Sequence, residues 1–210
     1  MAAMTMNRAV HEAVRRDLRR TQDALRMLVP GDGAQARGLR RAWEHLRGQL
    51  HHHHTAEDEL IWPFLRSRGV TGPHVEAMEE EHREMALALD EGATALDGVV
   101  LEPTRGCADE AANTVARAGK VICAHLDHEE ADVEPLILAL SSDPGWLEVQ
   151  KQLGKVSLSE AGQMIAWISD GAPDEVTAFL RAEIPAPVAF VLGRAFGRRY
   201  RREIAPVWRG

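Results

Sequence analysis

Four stretches of the chain carry apolar side chains three and four residues apart, the spacing of a helix with one buried face. The first runs through His11, Val14, Leu18, Thr21, Leu25 and Leu28. The second runs through Leu39, Trp43, Leu46, Leu50, His53, Glu57, Leu60 and Phe64. The third takes Val75, Met78, His82, Met85, Leu89 and Leu96, and the fourth Val115, Ala118, Ile122, His125, Glu129, Val133, Leu136 and Leu140. Turn-forming residues separate them: Pro30-Gly31-Asp32-Gly33, then Gly69 to Pro73, Gly98 to Gly106, and Asp143-Pro144-Gly145. No segment alternates as a strand would. Four such stripes with short links predict an all-α fold, an antiparallel up-and-down four-helix bundle over residues 1–145. Residues 146–210 read as a helical C-terminal extension. Ser157-Leu-Ser-Glu160 is a capping box that opens a helix to about Ile168. Gly171 to Pro173 break it, a second helix runs to about Ala182, and a third is expected over 188–203. Trp146, Leu147, Met164, Trp167, Phe179, Leu180, Phe190 and Phe196 are expected to pack this extension onto the bundle, over one end of the site.

The polar members of the apolar stripes are His11, His53, Glu57, His82, His125 and Glu129. A carboxylate buried without a partner is costly, so these six need one another or a cation. Two of the segments repeat a motif 72 residues apart: HHTAEDELIWP at 53–63 and HLDHEEADVEP at 125–135, matching in His, Glu and Pro. A histidine and a glutamate at i and i+4 project along one helix face, about 6 Å apart, within reach of one metal ion. His11 to His53 spans 42 residues and His82 to His125 spans 43, each with a turn midway. All six therefore fall near one cross-section of the bundle, related by approximate two-fold symmetry. That arrangement suits two metal ions sharing two bridging carboxylates. The donor set admits iron, manganese or zinc.

Neighbouring histidines are weighed by register. His54 shares its face with Arg47, His51 and Asp58, which reads as solvent, so it is expected at the surface or behind the ligands. His128 lies beside the site face and is placed to hydrogen-bond a ligand or an incoming molecule. His74 is rotated off the stripe and is set aside. No catalytic residue is assigned.

Composition narrows the classes. With 45% hydrophobic and 27% charged residues, the 210-residue chain has the make-up of a folded globular protein. A net charge of −7 gives no reason to expect nucleic-acid binding. No apolar run reaches membrane length, the start lacks a signal-peptide core, and two cysteines cannot make a disulfide framework. A cytoplasmic location is the expectation. The basic run Arg194, Arg198, Arg199, Arg201 and Arg202 would suit an acidic protein partner or a membrane surface; a solvated face paired to the acidic bundle is the simpler expectation.

The pattern His11 … His53-x3-Glu57 … His82 … His125-x3-Glu129 resembles a hemerythrin-like, HHE cation-binding domain over roughly residues 7–141. Ferritin-like di-iron proteins use Glu-x-x-His, a different order and spacing. The resemblance implies a cofactor of two iron ions, a non-haem centre with an oxo or hydroxo bridge, in which Glu57 and Glu129 bridge the metals. Oxygen-carrying hemerythrins add a fifth histidine through His-x3-His on the third helix; here Met78 and Ala86 stand four residues either side of His82. The pattern is closer to bacterial and actinobacterial branches. It implies binding of, or reaction with, peroxide, dioxygen or nitric oxide, with catalase-like breakdown of peroxide as one form. An oxygen or nitric oxide sensor or carrier, and an iron store or donor, are the alternatives.

Overall fold

The computed structural model describes residues 4–70 and 73–209, the side chains of Pro73 and His74 excepted. Helix α1 (Met6–Arg26) is capped by Thr5, whose hydroxyl accepts from the Arg8 amide. At the first turn Gly31 adopts φ +88°, a conformation open to glycine, and its amide donates to the Pro103 carbonyl across the bundle end. Asp32 then caps α2 (Gly33–Ala56). Helix α4 (Pro73–Leu101) runs straight through Gly98, so the third break is only the short link before Thr104, which caps α5 (Arg105–His128). Helix α1 packs on α2 and α5, and α4 packs on α2 and α5, which is the closed ring of an up-and-down bundle.

The core tracks the stripes. Leu18, Leu25, Leu39, Trp43, Leu46, Leu50, Met85, Leu96, Val115 and Ile122 are all buried. Trp43 donates its indole N–H to the Leu89 carbonyl, and its ring lies where a Cβ at Gly92 would stand. Glycine there is what lets α2 and α4 approach.

Beyond the two His-x3-Glu motifs the register departs from the regular stripe. A π turn occupies Glu57–Ile61 before α3 (Trp62–Ser67), and another occupies Glu129–Val133 before α6 (Glu134–Ala139). The amide of Trp62 donates to the Glu57 carbonyl, and that of Glu134 to the Glu129 carbonyl, five residues back in each case. The cause is the repeated proline. Pro63 and Pro135 have no N–H to give and their rings crowd the carbonyl four residues earlier, so the ladder opens by one residue. In consequence Trp62, Leu65 and Glu134 turn inward, while Leu60, Leu136 and Leu140 are only partly buried.

Helix α7 (Pro144–Leu153) places Trp146 and Val149 against Trp62, Phe64, Val75, Met78 and Val133, closing the bundle end beyond the His/Glu level. Helix α8 (Leu158–Ser169), with the expected capping box, lies on α1. Trp167 donates to Asp17 Oδ2 at 2.7 Å, and Tyr200 and Arg20 both donate to Asp170 Oδ2. After α9 (Asp174–Glu183), the single helix expected over 188–203 is instead α10 (Ala186–Val191), a π turn (Leu192–Phe196) and α11 (Arg198–Glu203), divided at Gly197. Leu147 and Phe190 do not pack as expected and are exposed. The basic run is solvated, yet its hydrogen bonds go to Glu203 and the Arg194 carbonyl rather than to the acidic bundle. Among the described residues no single helix is long and apolar enough to cross a membrane.

Candidate metal centre

All six stripe residues arrive at one level. His11, Glu57, His82, His125 and Glu129 are buried and His53 is partly so. Their ligand atoms form two groups, each within 4.8 Å: His11, His53 and Glu129 in one, and Glu57, His82, His125 and His54 in the other. Glu57 spans them. Its Oε1 lies 3.1 Å from His53 Nε2 and its Oε2 lies 3.4 Å from His82 Nε2. Glu129 is arranged differently. Its Oε2 faces His11 Nε2 at 3.1 Å, while its Oε1 accepts from the Asn7 amide at 3.0 Å.

Each of three imidazoles is held from behind by a carboxylate. Nδ1 of His11 donates to Glu130 at 2.8 Å, Nδ1 of His82 to Asp58 at 3.1 Å, and Nδ1 of His125 to Glu81 at 2.9 Å. A carboxylate can only accept, so each ring carries a proton on Nδ1 and turns Nε2 inward, the nitrogen whose lone pair a metal would take up on displacing any proton there. Glu130 is anchored by Arg15 and Arg8, and Asp58 by the Trp62 indole. The other oxygen of Glu81 accepts from His128 Nδ1 at 2.8 Å, so His128 reaches the site through Glu81.

The electrostatics suit a cation. Burial, together with the facing charges of Glu129 and Asp58, pushes the Glu57 carboxyl well above its usual range. Burial would raise Glu129 also, but the positive charge of His11, a ring whose own pKa the facing Glu129 and Glu130 carboxylates raise against its burial, brings it down to about 2. Burial and the neighbouring imidazoles hold His82 and His125 below the ordinary histidine value and His53 at about 3, leaving neutral rings with free lone pairs. In this setting both oxygens of Glu57, Oε2 of Glu129 and Nε2 of His82 and His125 are buried with no hydrogen-bond partner. Such a set fits a metal well, because each atom is an electron-pair donor aimed at shared space.

One expectation is corrected. His54 is not on a solvent face: it is 9% exposed and its ring stacks on that of His82, centroids 4.0 Å apart. The face it shares with Arg47 and Asp58 is the seam between α2 and α4, where Arg47 pairs with Asp90 and Asp58 reaches His82. The available signal was the i, i+3 spacing of His54 and Glu57, which places them on adjoining parts of one face. Sequence spacing also gave no place to Asp58, Glu81, Glu130 and Asn7. For two of them a signal existed, since an acidic residue comes directly after both motif glutamates, as Asp58 and Glu130. The side chain of His74 lies outside the described residues. His51 and His52 are exposed.

A groove of about 790 Å3 runs along the α2–α4 seam and is lined by His54, His82, Asp58, Glu79 and Arg83. The family model described as the hemerythrin HHE cation binding domain matches residues 5–137. Neither the curated proteins nor the solved structures gave a significant match.

Proposed function

The chain belongs to the hemerythrin HHE cation-binding family, and we propose that it is a non-haem di-iron protein that binds or reacts with peroxide, dioxygen or nitric oxide in oxidative or nitrosative defence. The observation that carries the reading is the set of buried, unpartnered donor atoms on Glu57, His82, His125 and Glu129. Leaving such groups unpaired costs about 1–3 kcal/mol each, more for charged ones. Cations between them would take up those lone pairs. His11, His53 and Glu129 would hold one iron, His82 and His125 the other, and Glu57 would serve both. When bound, two irons supply Lewis acidity and electrons for the chemistry of small oxygen and nitrogen oxides.

The chain's own residues complete the site. Glu130, Asp58 and Glu81 keep protons on the outer ring nitrogens. Glu81 links buried His125 to partly exposed His128, making His128 the nearest carrier of a proton from solvent. Trp62, Met78 and Val133 exclude water from one end. We read residues 1–145 as the metal-binding unit and residues 146–210 as an extension packed on it.

A second reading, a sensor, is favoured by one contact. Helix α1 carries both His11 and Asp17, and Asp17 is gripped by Trp167 of the extension, so a shift at His11 would be felt there. Iron-loaded protein, prepared without a His-affinity step, separates the two when given peroxide and then nitric oxide. Sustained oxygen release from peroxide supports the defence enzyme. A stable stoichiometric adduct without turnover supports the sensor. An iron-loaded centre inert to both, and to dioxygen, would contradict the proposal.

A further inference from the structure

The two motif copies differ at the position after the histidine, where His54 in the first corresponds to Leu126 in the second. Leu126 is a buried apolar residue of the core. His54 is also buried, and its Nε2 has no hydrogen-bond partner. A ring nitrogen of His54 belongs to the same 4.8 Å group as ligand atoms of Glu57, His82 and His125. The ring lies nearly parallel to His82, at 14°, and edge-on to His125 with centroids 5.4 Å apart. Three imidazoles from α2, α4 and α5 thus surround one side of Glu57. On the other side, among the described residues, the imidazoles beside Glu129 are those of His11 and His53, whose Nε2 atoms are 3.0 Å apart.

A purely structural role explains this poorly. A buried imidazole nitrogen without a partner lowers stability by about 1–3 kcal/mol, and leucine fills the symmetry-related position at no such cost. Nor is α4 able to supply the third ring, because Met78, one turn before His82, is fully buried in the apolar cluster of Trp62, Phe64 and Val133.

Resting on the di-iron reading above, we propose that His54 is a fifth imidazole ligand, supplied by α2. The metal position of His54, His82, His125 and Glu57 then has three imidazoles, and that of His11, His53 and Glu129 has two. Open coordination is concentrated at the second position. The stacked pair of His54 and His82 also lines the inner wall of the seam groove, so that solvent there meets imidazole rings before it meets Glu57.

The test compares wild type with His54→Leu, His54→Gln and the exposed-neighbour control His51→Leu. Iron per chain, the Mössbauer spectrum and the melting temperature with and without iron are measured on each. Wild type and His51→Leu should hold two inequivalent irons. His54→Leu should fold without metal at least as well as wild type, bind one of the two irons at least tenfold more weakly, and lose much of the stabilisation that iron confers. His54→Gln, similar in volume, should show the same loss of iron. Two irons with an unchanged spectrum in both His54 variants would overturn the proposal and leave the di-iron reading intact. Wild type that takes up no iron would overturn both. Should His54→Leu fail to fold, the iron content and spectrum of His54→Gln decide.

Discussion

His11 on α1 and Glu130 in the π turn after α5 are joined at 2.8 Å through Nδ1, and the other motif copy repeats the device with His82 and Asp58 at 3.1 Å. In each copy the acid directly after the motif glutamate reaches a histidine on another helix. The carboxylate fixes the tautomer and aim of the ring without touching the inner site. Replacing such a partner commonly weakens metal binding by about 10- to 100-fold. Glu130→Gln should therefore leave the helical content unchanged and weaken iron at the His11 position by roughly that factor. A competition titration against a chelator measures it; unchanged affinity would show that the His11–Glu130 bond has no part in holding the metal.

The π turns make a second prediction. In Pro135→Ala the new N–H can donate to the Ala131 carbonyl, which removes the reason for the opened ladder. The metal-free variant should melt at the same temperature or higher, since alanine is the better helix residue. Iron should nonetheless be held less tightly, because Glu129 stands at the start of that turn. A rise in apo stability with a loss in iron retention is the expected signature, read by thermal melts and elemental analysis.

A third prediction concerns pH. Burial beside Trp167 and Tyr200 lowers His45 to about 4, with Arg16 and Arg199 adding to the shift and Asp17 opposing it. The folded value lies below the unfolded value of 6.5, so the unfolded chain takes the proton more readily. The stability associated with neutral His45 is full above about pH 6.5 and is lost as pH falls towards 4, to a total on the order of 3 kcal/mol. His45→Gln removes that titration. Its stability should fall less steeply than wild type between those pH values in urea unfolding, and parallel curves would contradict a role for His45.

Glu81 gives a fourth. Glu81→Gln keeps one acceptor oxygen, enough for one of His125 and His128, and cannot relay a proton as a carboxylate does. If the centre turns over peroxide, the rate per bound iron should fall by about 100-fold or more, on top of the weaker iron retention that losing the carboxylate behind His125 brings. A rate per bound iron equal to that of wild type would assign Glu81 to holding the ring alone.

Much of this was legible in the chain. The 3–4 stripes give the four long helices and bring His11, His53, Glu57, His82, His125 and Glu129 to one level, because a regular helix converts sequence spacing directly into direction and height. The segments around Pro63 and Pro135 were not legible in the same way. A π turn adds a residue to the turn, so Trp62 and Glu134 point where the regular period puts solvent. The burial of His54 is likewise not legible: the face it shares with Arg47 and Asp58 is charged, and only the packing of α2 on α4 shows that those charges pair across a seam. The path of residues 186–203 depends on the break at Gly197.

Two irons held at the His/Glu level are the foundation of the functional reading. The decisive measurement is iron per chain in tag-free protein, alongside a variant with His53→Ala and His125→Ala combined. Two irons per wild-type chain, with none retained tightly by the double variant, is the predicted result. One iron or none in wild type, or two that persist in the double variant because the exposed His51 and His52 bind them, would contradict it.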